Sequence, residues 1–146
     1  MNPLLQTDPS LALLVVRLGL GIIFFAHGAQ KVFGWYGGHG LKGTVSSFQQ
    51  RMGIPLALGV IASFTELLGG LGVLVGCLTR PAALGVAIVM LVAVYKVHWQ
   101  NGFFLNWGLQ PGKGHGFEMN LALIAMALAL MIGGGGTLSI DRLLVR

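Results

Sequence analysis

Apolar residues dominate four stretches of the chain, residues 10–31, 54–78, 82–97 and 117–138. A helix needs about 20 mostly apolar residues to cross a bilayer. The pattern therefore predicts an all-α protein, an integral membrane four-helix transmembrane bundle forming one domain over residues 1–146. The third stretch is short, and the fourth runs into four consecutive glycines at residues 133–136. Pro55 and Pro81 stand where a first-turn proline is tolerated, which supports helix starts there. Little more than Thr79 and Arg80 separates the second and third stretches, so they form a tight antiparallel hairpin. Two stretches carry a full charge in their interior, Arg17 in the first and Glu66 in the second. A charge at the bilayer centre costs about 2.5–3.5 kcal/mol on insertion scales. Arg17 and Glu66 are therefore the first candidates for function.

Because the spans alternate in direction, both long connections, residues 32–53 and 98–116, fall on one face. That face collects His27, His39, His98 and His115, which are all four histidines, together with Lys31, Lys96, Glu118 and most of the aromatic residues. The opposite face has Asp8, Arg80, Asp141, Arg142 and Arg146. Counting lysines and arginines on the two faces, the positive-inside rule favours the histidine-bearing face inside by a small margin.

Composition agrees with lipid as the solvent: 55% of residues are hydrophobic and 9% charged, against about 25% charged in a soluble domain. The formal charge of +5 is carried by scattered single residues. It suits anionic headgroups and gives no nucleic-acid patch. Cys77 is the sole cysteine, so neither an intrachain disulfide nor dithiol exchange within this chain is available. The first ten residues contain Asp8 and no Lys or Arg, and Arg17 interrupts the apolar core, so the first span reads as retained.

Counted from opposite span ends, Arg17 lies about 9 Å and Glu66 about 18 Å deep at 1.5 Å per residue. In a core of about 30 Å the two depths nearly coincide, so a buried Arg17–Glu66 salt bridge is expected. Such a pair either fixes helix register alone or faces a polar cavity. Arg17, Gly21, Phe24, Gly28 and Lys31 share one helical stripe, and Gly59, Ser63, Glu66, Gly70 and Val73 share another. Their small residues permit close helix approach.

Above this pair, His27, Lys31, Trp35, His98 and Glu118 are candidates for a cofactor-binding rim, with Arg17, Glu66, His27 and His98 the candidates for catalysis. Donors near the interface with aromatic walls suit a quinone headgroup. No His-x-x-His or Glu-x-x-His spacing occurs, so no metal site is expected. The glycine-rich run at residues 34–40 is neither a P-loop nor a dinucleotide turn.

Arg17 in the first span, His27-Gly28 with Lys31-Val-Phe-Gly34, and Gly38-His-Gly-Leu-Lys-Gly43 form an ordered series. It continues with Glu66-Leu-Leu-Gly-Gly70, Thr79-Arg80-Pro-Ala-Ala83, His98 with Asn101-Gly-Phe-Phe104, and Gly116-Phe-Glu118. Over nearly the whole chain this series resembles the DoxX family. The resemblance implies a four-helix protein of the bacterial cell (inner) membrane. Some relatives serve as the small membrane subunit of a thiosulfate:quinone oxidoreductase, and others are linked to oxidative stress or to resistance to quinones and catechols. Arg17, His27, Lys31, Glu66, Arg80, His98 and Glu118 match the family pattern. The expected function is then a multi-pass membrane subunit of a quinone-linked redox or detoxification system, working beside a soluble redox partner. A small-molecule transporter, which four spans could form only as a homo-oligomer, and a non-catalytic membrane scaffold are the alternatives.

Overall fold

Ser10 opens the first helix by accepting the Leu13 amide, satisfying one of the free donors of the first turn. Helix α1 (Leu11–Phe33) ends where Gly34 takes a left-handed conformation. It is followed by α2 (Gly40–Met52), α3 (Leu56–Val75), α4 (Thr79–Ala93), α5 (Glu118–Gly133) and α6 (Ile140–Leu144). The computed structural model describes residues 3–145, and no strand occurs among them. Arg146, counted above on the histidine-poor face, lies outside the described residues.

Three helical stretches are long and apolar enough to cross a membrane: Leu11–Phe33, Leu56–Val75 and Thr79–Asn101. The third is longer than the apolar pattern predicts. Beyond Ala93 the chain continues through a π turn (Val94–His98) and a 3-10 turn (Trp99–Asn101), carrying Lys96 and His98 onward as helix. The fourth is shorter. Helix α5 stops after 16 residues because Gly134, at φ 78 and ψ −161, adopts a conformation open essentially to glycine alone.

The helices pack as two close pairs. In lipid no hydrophobic force draws helices together, so close van der Waals contact must do it. Gly21 of α1 lies against Leu74 of α3, Gly28 lies against Leu67, and Gly70 of α3 lies against Phe25. At Gly28 and Gly70 an added Cβ would overlap the backbone of the facing helix. Helix α4 packs on α5 and α3 around Val73, Val86, Leu123, Ala127 and Leu130, with Leu20 and Phe24 of α1 completing the core. Leu11, Val15 and Ile22 on α1, Leu68 and Leu71 on α3, and Leu84 and Leu91 on α4 are exposed outside the cavity walls, as lipid contact requires.

Residues 32–53, read as a loop, contain α2. Its sequence is too polar to register as a span, but it is amphipathic. Thr44 and Val45 are buried, Val45 beneath Gly59 of α3, while Lys42, Gln49, Gln50 and Arg51 are exposed. The helix thus lies along the histidine-bearing face.

At the opposite face the C-terminal segment folds back over the bundle end. The Asp141 carboxylate accepts the amides of Leu78 (2.7 Å) and Thr79 (2.8 Å), capping the N-terminus of α4. Arg80 donates to the Met131 (2.9 Å) and Ile132 (2.8 Å) carbonyls at the end of α5. An anion at one helix start and a cation at another helix end both complement the helix dipoles.

Candidate functional site

The expected Arg17–Glu66 salt bridge does not form. Glu66 pairs with Lys31, the single ion pair among the described residues. Arg17 instead donates through Nη2 to the carbonyls of Leu138 (3.1 Å) and Thr137 (3.4 Å), within the field of buried Asp141. The reason is register. With Gly21 against Leu74 and Gly28 against Leu67, Glu66 sits beside the Gly28–Lys31 turn, and Arg17 falls past the end of α3. Twelve residues of helix, about 18 Å, separate the two levels along α1. Counting depth from span ends assumed that α1 and α3 are level, but they are staggered.

Two observations show how Arg17 is accommodated. It is 2% exposed, and a Cβ on Gly76 would overlap its Nη1, so glycine at residue 76 makes room for the guanidinium. Gly76 also closes α3 in a left-handed conformation, and its carbonyl accepts the Asp141 amide at 2.8 Å. Arg17 is thus a structural clamp on the histidine-poor side.

Lys31 and Glu66 belong to a cavity of about 990 Å³ that reaches from Gly85 and Leu123 to the histidine-bearing face. Its walls are mainly aliphatic, from α1, α3, α4 and α5, with Phe48 and Met52 of α2 at one edge. The polar side chains among them are His27, Lys31, Thr65, Glu66, Tyr95, Lys96, His98, His115 and Asn120. His27 lies one turn before Lys31, so the two side chains share a face of α1.

The loop after the 3-10 turn fixes the outer histidines in different tautomers. His98 Nδ1 faces the His115 carbonyl at 2.8 Å and therefore donates to it, so in the neutral ring Nε2 is an acceptor. His115 Nδ1 accepts the Asn106 amide at 3.2 Å, so in the neutral ring Nε2 is a donor. Asn106 holds this loop from within, donating to the carbonyls of Lys113 (2.7 Å) and Gln110 (3.1 Å). The cavity is therefore bordered by one histidine acceptor and one histidine donor.

Among the residues expected to form the rim, His27, Lys31 and His98 line the cavity, joined from below by Glu66. Glu118 does not line it; its Oε2 accepts the Leu105 amide at 3.1 Å and ties the loop to the start of α5. Trp35 is half exposed and packs against Phe33, with ring centroids 5.1 Å apart, away from the cavity. His115 and Asn120 were not singled out as site residues. Asn120 carried a signal, an amide within an apolar helix. His115 carried only its place with the other histidines on one face, and the loop's own hydrogen bonds bring it to the cavity.

Comparison with known proteins agrees with this architecture. The DoxX family model matches residues 12–99. "Inner membrane protein YqjF" of Escherichia coli is 31% identical over 131 residues, 90% of either chain. "Putative oxidoreductase CatD" of Bacillus subtilis is 27% identical over 128 residues, 88% of this chain and 83% of that protein. "Uncharacterized membrane protein Rv3486" of Mycobacterium tuberculosis is 29% identical over 144 residues, 95% of this chain and 85% of that protein. No solved structure matches.

Proposed function

The chain belongs to the DoxX family of bacterial multi-pass membrane proteins, and on that premise we propose that its cavity receives a quinone-class molecule. The protein would then act as the membrane subunit of a quinone-linked redox or detoxification system. The observation that carries this reading is an apolar cavity of about 990 Å³ whose polar side chains include the Lys31–Glu66 pair, its carboxylate buried and its ammonium half-buried, with His27 on the same face of α1 as Lys31. A membrane-soluble molecule with a polar head needs such a site: mostly apolar walls and a few placed donors and acceptors. Quinone carbonyls accept hydrogen bonds, which Lys31 and His115 Nε2–H can donate. Quinol hydroxyls also donate, and Glu66 and His98 Nε2 can accept. Both oxidation levels are thereby matched by residues of this chain. Conversion between them takes two electrons and two protons. The cavity residues act on the protons, and a soluble redox partner is the proposed source of the electrons. The Bacillus relative named as an oxidoreductase supports this direction.

Organic extraction of the protein purified in mild detergent tests the reading. Quinone should be recovered, or added quinone should bind. Glu66→Gln should weaken binding by about tenfold or more, since a hydrogen bond to a charged group contributes about 1.5–3 kcal/mol. Protein that carries no quinone and binds none would refute it. Liposome flux abolished by Glu66→Gln, without quinone binding, would instead favour a transporter.

A further inference from the structure

Lys31 borders two cavities. On its other side lies a smaller pocket of about 250 Å³, between the end of α1 and the start of α2. Five of its lining side chains are polar, namely Gln30, Lys31, His39, Thr44 and Ser47. Only Lys31 and Phe48 line both spaces, so they form the partition. A polar space of that size holds several waters at about 30 Å³ each. The large cavity has aliphatic walls and, once filled by an apolar molecule, excludes water from Glu66.

We propose that the smaller pocket is the proton inlet of the Lys31–Glu66 pair. A proton on pocket water reaches Glu66 through Lys31. The Lys31 Nζ–H bond breaks as the Glu66 Oε2–H bond forms, and Nζ takes a replacement proton from the pocket water. The ammonium and carboxylate are restored when Glu66 releases its proton into the large cavity. His39 faces this route from the pocket side. His27, Lys96, His98 and His115 face the large cavity, and Glu66 is the one carboxylate lining either space. The route rests on the quinone reading only for the molecule that finally takes the proton.

The chain has only two glutamates, Glu66 and Glu118, which makes the step observable. In full-length Glu118→Gln protein carrying ¹³C-glutamate, stripped of quinone and with the large cavity filled by dodecane in its place, stopped-flow infrared spectroscopy after an acid jump follows protonation of Glu66 alone. Ser47→Phe, which fills the small pocket, should slow protonation by about tenfold, equivalent to about 1.36 kcal/mol of barrier. Gln30→Leu, nearly isosteric, should slow it in the same direction and serves if phenylalanine is not tolerated. Ala62→Trp, one turn from Glu66 on the large-cavity side, should leave the rate nearly unchanged. An unchanged rate in Ser47→Phe and Gln30→Leu, or equal slowing by Ala62→Trp, would overturn the inlet. Because the readout needs no quinone, failure of the quinone reading leaves this result intact, and the reverse also holds.

Discussion

Replacing Arg17 with methionine should cost about 1.5–3 kcal/mol of stability or more, the range for losing a hydrogen bond made by a charged group. Arg17 and Asp141 are 2% and 1% exposed. Methionine would end the donation to Thr137 and Leu138 and remove the guanidinium charge from the surroundings of the buried Asp141 carboxylate. Asp141 still caps α4, so the damage should begin where the C-terminal segment meets the bundle. Cys77, the sole cysteine, adjoins Gly76 in that junction and is half-buried. Its maleimide labelling should accelerate in Arg17→Met well before global unfolding in denaturing detergent. Exchanging the charges, Arg17→Glu with Glu66→Arg, should not restore stability, because the two residues lie at different levels. Rescue by the exchange would restore the direct salt bridge and refute the clamp.

The second large effect is expected at Gly28 and Gly70. A Cβ there meets backbone atoms of the facing helix, which cannot move aside as a flexible side chain can. Alanine at either residue should cost about 1–3 kcal/mol or more by overpacking. It should also loosen the Lys31–Glu66 pair, since Glu66 is next to Leu67, the residue facing Gly28. Gly19→Ala is the internal comparison, because its new Cβ would meet only the mobile Met126 Cε at 3.4 Å. Unfolding in mixed detergent should rank Gly28→Ala and Gly70→Ala far below Gly19→Ala. Equal stability of all three would show that α1 and α3 are held by something other than close contact.

Much of this arrangement is legible in the chain. The stripe Arg17–Gly21–Phe24–Gly28 is buried as its spacing predicts, with Lys31 at its end half-buried, and the stripe Gly59–Ser63–Glu66–Gly70–Val73 is buried throughout. His27, His98 and Lys31 reach one cavity, as their shared face suggests. Helix α2 was illegible because its apolar positions are few and its interior includes Gly43. What holds it is burial of Thr44 and Val45 against neighbouring helices, which no local propensity reports. Glu118 and Trp35 stand outside the cavity for a related reason. Their residue types suit a headgroup site, but the Leu105 amide and the Phe33 ring claim them first.

The sequence by itself determined the solvent, the helices, their small-residue faces and the grouping of the histidines. These follow from hydrophobicity and period, which are local and accumulate along the chain. Tertiary structure alone decided which buried charge meets which. That outcome depends on the stagger of α1 against α3, fixed by a few glycine contacts between residues distant in sequence. The stagger hands Glu66 to Lys31 at the cavity and leaves Arg17 to the C-terminal segment. Two charges that look alike in the chain thereby acquire separate surroundings, one at the cavity and one where the C-terminal segment meets the bundle.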